Sequence, residues 1–275
     1  MTSMSLPAIG GGPNVVIEYL DPGRLLQHLV SVSPQLQDWY ARAANEHRGD
    51  WSLAFLFDEY VPGDKLKMNN LKKVMNTGFN FLELGQQFYM QSLWVIPLLV
   101  RSSKISEIVG GWSNIMRVFL KKQFLSASAL NTAGIPLKLH GEWFLLRAQL
   151  TNICSDGDGL RIALCLRGAN GLRPCFTHHN VSKKGSDLAS RSAHIVEIGC
   201  HDHRKFHCQT DAGLDESLCL LKATHKRWLA GGVSGAMYTK ISQAAGMRYN
   251  ENGIWCRLRN KVFGMHGAAA TCKHR

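Results

Sequence analysis

The sequence lacks the features that mark membrane and secreted proteins. Its 275 residues contain no run of 18 apolar residues, and the apolar stretch WVIPLLV at residues 94–100 is far too short to span a bilayer. The N-terminal MTSMSLPAIGGG has neither the positive segment nor the apolar core of a signal peptide. We therefore expect an intracellular protein without a membrane partner, whose eight cysteines are thiols or metal ligands and not disulfides.

Acidic residues are scarce in the second half of the chain. Residues 161–275 hold 7 Asp and Glu against 18 Lys and Arg, a net charge of +11, whereas residues 1–160 hold 13 against 14, a net charge of +1. A charge excess of this size attracts polyanions through counterion release, and nucleic acid is the partner that it favours. We expect a DNA partner and a nuclear location; the alternative is a basic surface with no specific partner.

The order of apolar and polar segments suggests a core with appendages. Asp21-Pro22 and Ser33-Pro34 each predict a helix start, because a capping residue precedes a first-turn proline. From such patterns we predict five regions: a flexible N-terminus at 1–13, an accessory helical segment at 14–50, an RNase H-like core at 51–170, a Cys/His-rich insertion at 171–212, and a basic helical or irregular tail at 213–275.

Within the core, the pattern predicts three strands, a helix and a fourth strand. Short connections join the three predicted strands, so we expect them to form an antiparallel meander; they are residues 53–57, 74–84 and 93–100. Apolar residues at helical spacing over 105–120 predict a long helix, and strand character returns over 135–153, with a strongly apolar stretch at 143–150. This is the opening order of an RNase H-like fold, so we predict an α/β protein with a mixed sheet and flanking helices.

A few residues interrupt these segments. Pro97 cannot donate a hydrogen bond to a neighbouring strand, so it predicts a sheet edge or a bulge. Gly110 and Gly111 lie inside the predicted helix, where they indicate close backbone packing against the sheet. Gly141 is a possible break in the strand that follows.

Acidic residues come directly after the two most apolar strands. Asp58 and Glu59 follow residues 53–57, and Asp156 and Asp158 follow the stretch that begins at residue 143. A carboxylate at the end of a buried strand is held rigidly by packing while its oxygens face a cleft that can admit Mg²⁺ and phosphate. The alternative is a solvated turn after an ordinary core strand.

Three segments together resemble a known family. The run DEYVPGDKLKMNNLKKVMNTGFNFLELG, then WVIPLLVRSSKISEIVGGWSNIMRVFL, then RGANGLRPCFTHHNV after Asp156, resembles the transposase-like proteins of protist mobile elements. Those proteins in turn resemble the DDE/D cut-and-paste transposases, whose RNase H-like core carries a Cys-rich insertion. The likeness covers residues 51–199, and it is weaker as far as residue 259.

The resemblance implies roles for particular residues. The family's DE-x-x-PG motif puts the first catalytic acid on Asp58, with Glu59 as the alternative, and the second acid falls on Asp156, with Asp158 as the alternative. These acids would hold Mg²⁺ for attack on a phosphodiester. A third acid has no obvious equivalent before Arg275, so the resemblance implies a catalytically incomplete fragment of a strand-transfer enzyme.

Cysteine and histidine residues cluster in the predicted insertion. The family's KG-x-x-G-x-x-PC-x-x-C-x-N motif corresponds to residues 167–180, with His178 in place of the second cysteine. A tetrahedral Zn²⁺ site needs four N or S ligands, usually as two close pairs. Cys175 with His178, and Cys200 with His203 or His201, would satisfy this. The alternative is ordinary polar or buried histidines and inert thiols.

The tail combines basic and aromatic residues. Arg248, Arg257, Arg259 and Lys261 occur amid Tyr249, Trp255 and Phe263, and such interleaving suits phosphate contacts with base stacking. A solvated, weakly ordered tail is an equal alternative. The sequence as a whole thus predicts a transposase-derived DNA-binding protein. The rival hypothesis is a non-catalytic, zinc-dependent nucleic-acid-binding or interaction protein in which both acids are structural.

Overall fold

The protein divides into two compact units in its computed structural model. The structure describes residues 1–61, 73–167, 171–173, 175, 178–185, 194–254 and 256. The first unit is Met1–Gly159 and the second is Leu160–Arg257. The division places residues 1–50 in the same unit as the sheet. It also falls after Gly159, and not near the predicted core limit at residue 170.

The chain begins with a β-hairpin, where the sequence suggested a flexible terminus. Strand β1, Thr2–Leu6, pairs antiparallel with β2, Val15–Tyr19. Its alternate side chains Met4 and Leu6 are buried, as are those of β2 that face the same way. The prediction of a flexible terminus at residues 1–13 was therefore wrong over 2–6. Buried and exposed side chains alternate in β1 over only five residues, which is too short a pattern to predict a strand from the sequence.

Two helices follow, and they begin where the capping pattern predicted. Helix α1 is Pro22–Val32, and the Arg24 N–H donates to Asp21 Oδ1 at 3.0 Å. Helix α2 is Pro34–Glu46, and the Leu36 N–H donates to Ser33 Oγ at 3.3 Å. In each helix the cap satisfies a backbone donor that has no partner within the helix, and proline occupies a position where its missing N–H costs nothing.

A mixed four-stranded sheet forms the centre of the first unit. Its strands are β3 (Trp51–Tyr60), β4 (Val74–Phe81), β5 (Val95–Arg101) and β8 (Ala148–Cys154), in the order β5-β4-β3-β8. β3 and β4 are antiparallel, as are β4 and β5, whereas β3 and β8 are parallel. The predicted mixed sheet with flanking helices is thus confirmed, and so is the meander.

The connections around β5 explain the proline in that strand. Two 3₁₀ segments, Leu82–Tyr89 and Gln91–Leu93, lead from β4 to β5. β5 is an edge strand, and its register with β4 shifts between Thr77 and Phe79. Pro97 therefore lies at a sheet edge beside an irregularity, where a missing N–H breaks no ladder hydrogen bond, as the sequence predicted.

The single long helix predicted after β5 is two helices. A short α3, Ser102–Ile105, is followed by α4, Gly111–Leu125. Gly110 has φ 79° and Gly111 has φ 55°, so both take the left-handed conformation and break the helix between the two elements. The glycines thus separate two helices and do not lie inside one, because their left-handed backbone cannot continue a right-handed turn.

The strand character predicted over 135–153 belongs to three strands, and the possible break at Gly141 is the turn between the first two. β6, Ile135–Leu139, and β7, Glu142–Leu146, form a hairpin, and β8 begins two residues later. The turn residues His140 and Gly141 have φ of 48° and 93°, which is the backbone of a type I′ turn. Trp143 is 73% exposed, so the apolar stretch at 143–150 is not one buried strand.

Aromatic packing holds β3 in the core. Trp51 stacks on Tyr40 of α2 with ring centroids 5.7 Å apart, and it meets Phe81 of β4 edge-on at 5.6 Å. Phe55 lies 6.0 Å from Phe119 of α4, and both side chains are buried. Large buried rings resist displacement, so these contacts fix the strand that carries Asp58.

The second unit is smaller, and its longest elements are two helices. Helix α5, Gly157–Ala163, contains the boundary between the units, and two short strands, β9 (Val181–Ser182) and β10 (Val196–Glu197), pair in parallel. Helices α6 (Asp211–Leu229) and α7 (Gly235–Ala245) follow, packed on a core of Leu214, Leu221 and Met247. α6 begins at Asp211, so the predicted boundary at 212 and 213 falls within a helix. No helix in the described part of the chain is long and apolar enough to cross a membrane.

Candidate functional site

The register of two parallel strands brings the predicted acids to one edge of the sheet. Leu56 of β3 faces Cys154 of β8 in the last pair between these strands. Asp58 and Asp156 each follow that pair by two residues in the same chain direction. The structure therefore places both acids at the same end of the paired strands β3 and β8.

The start of α5 lies against the end of β3. A Cβ on Gly159 would lie 3.1 Å from Asp156 Oδ1 and 3.3 Å from the carbonyl oxygen of Phe57. Asp156 is therefore close to the backbone immediately before Asp58. A side chain at residue 159 would require Ser155 Oγ to move, because the same Cβ would lie 2.0 Å from it.

The first pair of acids lies within β3 and not in a turn after it. Asp58 is paired with Asn76 of β4, and Glu59 is paired with Met75. This is a correction to the sequence analysis: the strand extends to Tyr60 because β4 continues to pair with it beyond the apolar run. The turn residues Pro62 and Gly63 lie outside the described residues.

The two neighbours Asp58 and Glu59 have different surroundings. Successive side chains of a strand point to opposite faces, so only one of them can share a face with Asn76, and that is Asp58. Glu59 forms an ion pair with Lys73 at 2.5 Å, whereas Asp58 Oδ1 accepts from the Glu59 N–H at 2.8 Å. Because the charge of Glu59 is already paired, Asp58 is the better candidate for binding a cation.

Asp156 caps a helix. Its Oδ1 accepts from the Gly159 N–H at 2.6 Å, which is the side-chain bond of a residue that precedes α5. Asp158 lies in the first turn of the same helix. One oxygen of Asp156 therefore has a structural role, and the second oxygen is left for any ligand at this edge.

Two polar residues that the sequence analysis did not single out complete the edge. Asn76 Oδ1 and Ser155 Oγ are both buried and have no hydrogen-bond partner among the described residues. Asn76 lies directly across from Asp58, and Ser155 precedes Asp156. A buried polar atom without a partner costs free energy unless a ligand or water satisfies it. Only the register reveals Asn76, because the sequence shows it simply as one polar residue of a strand.

The residues at this edge carry the types of donor atom that Mg²⁺ binds. Carboxylate, amide and hydroxyl oxygens are the donors that hard cations prefer, and Asp58, Asp156, Asn76 and Ser155 supply these. Within the described ranges, no group of three or more His, Cys, Asp and Glu side chains could hold a metal ion. Burial raises the pKa of the nearby Cys154 thiol, which disfavours its thiolate form.

The structure brings together one pair of the predicted zinc ligands. Cys175 Sγ lies 3.3 Å from His178 Nδ1, and an isolated bridge joins His178 to Cys208. Cys200 Sγ donates to the carbonyl oxygen of Asp202 at 3.9 Å. The backbone of His203 begins a 3₁₀ turn, but its side chain lies outside the described structure. No disulfide joins the cysteines in the described part of the chain, and zinc binding stays a prediction.

Of the predicted nucleic-acid-binding residues, the structure describes Arg248. Its N–H donates to the carbonyl oxygen of Cys165 at 2.7 Å, next to the bridge between Leu166 and Met247. Arg257, Arg259 and Lys261 lie outside the described residues. The sequence analysis missed Arg167, which lies beside Arg248 across that bridge.

Comparison with known proteins adds no family assignment. No protein-family model matches the chain. No curated protein matches it.

Proposed function

We propose that the protein is a transposase-derived DNA-binding protein built on an RNase H-like core. The parallel pairing of β3 with β8 carries this proposal, because it brings Asp58 and Asp156 to one edge of the sheet. The sheet order supports it too: an antiparallel meander, with the fourth strand parallel to the first, is the arrangement expected for the opening strands of such a core.

The charge distribution supports DNA as the partner. The net charge of +11 over residues 161–275 is large enough to give strong, salt-dependent attraction to a polyanion. At the acidic edge of the sheet, Asp58 and Asp156 would hold Mg²⁺, with Asn76 as a neutral oxygen donor. When bound, Mg²⁺ would supply charge stabilisation for displacement at a phosphodiester.

We expect DNA cleavage to be absent or very weak. One oxygen of Asp156 is occupied as the cap of α5, and no third acid joins the two carboxylates in the described structure. Two metal ions about 3.5–4 Å apart need several carboxylates to hold them. The proposed role is therefore binding, with the acidic edge as a weak cation site.

The proposal is tested by duplex DNA binding between about 50 and 200 mM salt, beside a nicking assay with Mg²⁺ or Mn²⁺. We expect log K to fall linearly with log salt, with a slope near −0.9 per phosphate neutralised. Undetectable or salt-insensitive binding would contradict the proposal. Robust metal-dependent nicking that is lost in Asp58→Ala would show that the protein is an active enzyme.

A second candidate function is a zinc-dependent nucleic-acid-binding or interaction protein. The 3.3 Å approach of Cys175 Sγ to His178 Nδ1 favours it, since this is half of a four-ligand site. In that case both acids would be structural, as the capping role of Asp156 allows. Mg²⁺ would then leave the stability of the protein unchanged, whereas chelation of zinc would lower it.

A further inference from the structure

Aromatic rings converge where α6 ends and α7 begins. Trp228 of α6 and Tyr238 of α7 are stacked, with centroids 5.1 Å apart and planes 3° from parallel. His225 contacts both rings and also that of Tyr249, with centroid distances between 5.2 and 5.6 Å. Although this packing fixes the orientation of the indole, Trp228 is 39% exposed, so part of its ring faces solvent.

The local sequence explains how these rings meet. His225 and Trp228 are three residues apart, so they lie on one face of α6. Gly231 has φ 75°, which lets the chain turn tightly after the helix, and Ser234 Oγ accepts from the Met237 N–H at 3.2 Å to begin α7. A Cβ on residue 235 would lie 3.5 Å from Trp228 Nε1, so the start of α7 packs closely against the edge of the indole.

Two arginines lie beside this aromatic cluster. Leu166 and Met247 form an antiparallel bridge and pack on the core of the second unit. Arg167 and Arg248 flank this bridge: the Arg167 N–H donates to the carbonyl oxygen of Gly246 at 2.9 Å, and the Arg248 N–H donates to that of Cys165 at 2.7 Å. The backbones of the two arginines are therefore close to each other.

The guanidinium of Arg167 is held in place. Its Nε donates to Ser242 Oγ at 2.8 Å, and that hydroxyl donates to the carbonyl oxygen of Met247 at 2.6 Å. Burial, followed by the positive charge of Arg248, lowers the pKa of Arg167. Burial raises the pKa of the Tyr238 hydroxyl, and the positive charges of Arg167 and Arg248 partly offset this increase. Ser242 follows Tyr238 by one turn of α7, so the guanidinium of Arg167 lies at the face of the helix that carries the stacked ring.

Within the described ranges, no acidic side chain neutralises the charge of this arginine pair. No carboxylate among the described residues forms an ion pair with either guanidinium. Two like charges held close together are favourable only when an anion lies between or beside them. Arginine suits phosphate in particular, because its planar fork donates two parallel hydrogen bonds.

We propose that Trp228, supported by Tyr238, stacks on an unpaired nucleobase while Arg167 and Arg248 bind an adjacent phosphate. The ligand is single-stranded nucleic acid of any sequence, since every base has a π-face and the site offers no set of donors that would select one. In a duplex the faces of the bases are stacked on one another inside the double helix, so they cannot stack on the indole. This inference rests on the proposed nucleic-acid function and extends it to a class of ligand.

The test measures, by fluorescence anisotropy, how tightly an oligothymidine of about 15 nucleotides binds to the full chain. Trp228→Ala should weaken binding about tenfold, the cost of one lost stacking contact. Trp228→Phe should keep most of the affinity, because a ring remains. Trp143→Ala is the matched control: it removes a 73% exposed tryptophan from the first unit and should leave affinity unchanged.

The arginine pair has its own signature in the same experiment. Arg248→Ala should reduce the slope of log K against log salt by about 0.7, the value for one phosphate of a single strand. Equal affinities for the wild type and Trp228→Ala would overturn the inference. So would equal losses in Trp228→Ala and Trp143→Ala, or an equal effect of Trp228→Ala on duplex and single strand.

The inference and the proposed function fail in different ways. Loss of duplex binding, with a single-strand affinity that still depends on Trp228, would reject the proposed function and support the stacking site. Salt-dependent duplex binding, with a single-strand affinity indifferent to Trp228, would support the function and reject the site. Circular dichroism of each variant shows whether a loss of affinity reflects unfolding.

Discussion

Asp58 lies directly opposite Asn76 in the antiparallel pair of β3 and β4, and Asn76 Oδ1 is buried without a hydrogen-bond partner among the described residues. An asparagine side chain offers both an oxygen that a cation can bind and N–H groups that can donate to a carboxylate. With Asp58 opposite and its own Oδ1 unsatisfied, Asn76 can supply a neutral oxygen to a cation that Asp58 binds.

Mg²⁺ should stabilise the protein through Asp58. At a concentration ten times its dissociation constant, Mg²⁺ should raise the free energy of unfolding by about 1.4 kcal/mol, or the melting temperature by roughly 4 °C. Asp58→Asn should abolish most of this shift, because it removes the charge and keeps the shape. Differential scanning calorimetry with and without Mg²⁺ measures both.

The control for this prediction is Glu18→Gln, which removes an exposed carboxylate from β2. Its response to Mg²⁺ should equal that of the wild type. A Mg²⁺ shift that survives in Asp58→Asn would place the cation elsewhere on the protein.

Asp156 should show two separable roles. Asp156→Ala removes the cap of α5 and should lower the free energy of unfolding by about 1 kcal/mol without any metal. Asp156→Asn keeps an oxygen that can accept from the Gly159 N–H, so it should cost little in the absence of Mg²⁺ and still reduce the Mg²⁺ shift. Chemical denaturation in the presence of EDTA and of Mg²⁺ separates the two effects.

Ser234→Ala offers a matched control, because Ser234 caps α7 through the Met237 N–H. It should cost a similar amount of stability and leave the response to Mg²⁺ intact. If Asp156→Asn responds to Mg²⁺ as the wild type does, Asp156 is a cap and not a ligand.

The elements that carry a strong local signal were predictable from the sequence. Asp21 and Ser33 begin α1 and α2 because capping and a first-turn proline are decided within a few residues. The apolar run at the start of β3 is buried because such a run can lie only in a core. The placement of Asp58 beside Asp156 was predicted through the order of the elements.

What the sequence could not predict depends on contacts between distant residues. Whether Gly110 lies inside a helix or ends one depends on its φ, which the residue type leaves open. The pairing of Asp58 with Asn76 depends on register, which β4 sets from 18 residues away along the chain. The approach of Arg167 to Arg248 likewise depends on a bridge between segments about 80 residues apart.

Gly159 should be intolerant of a side chain. A Cβ there would lie 2.0 Å from Ser155 Oγ and 3.3 Å from the carbonyl oxygen of Phe57, so Gly159→Ala requires Ser155 to change rotamer and the backbone at Phe57 to shift by a few tenths of an ångström. We expect a loss of about 1–3 kcal/mol in the free energy of unfolding, typical of overpacking. Urea denaturation measures it.

Two further variants check the cause of this loss. Adding Ser155→Ala to Gly159→Ala removes the closest contact and should restore part of the stability. Gly232→Ala is the control, because its Cβ would meet only the Arg227 carbonyl oxygen at an ordinary 3.5 Å. Equal losses in Gly159→Ala and Gly232→Ala would mean that close packing at α5 is not the cause.

Zinc binding should depend on Cys175 and His178, whose side chains already approach to 3.3 Å. Purified protein should contain close to one equivalent of zinc, and chelation should lower its stability, since metal binding contributes to folding. Cys175→Ser should lose the metal, whereas Cys219→Ser, at an exposed cysteine of α6, should retain it. His178→Cys replaces one ligand with another and should bind at least as tightly, because thiolate is a good zinc ligand. Metal analysis that finds less than about 0.2 equivalents, with no loss of stability on chelation, would show that the pair is an ordinary hydrogen bond.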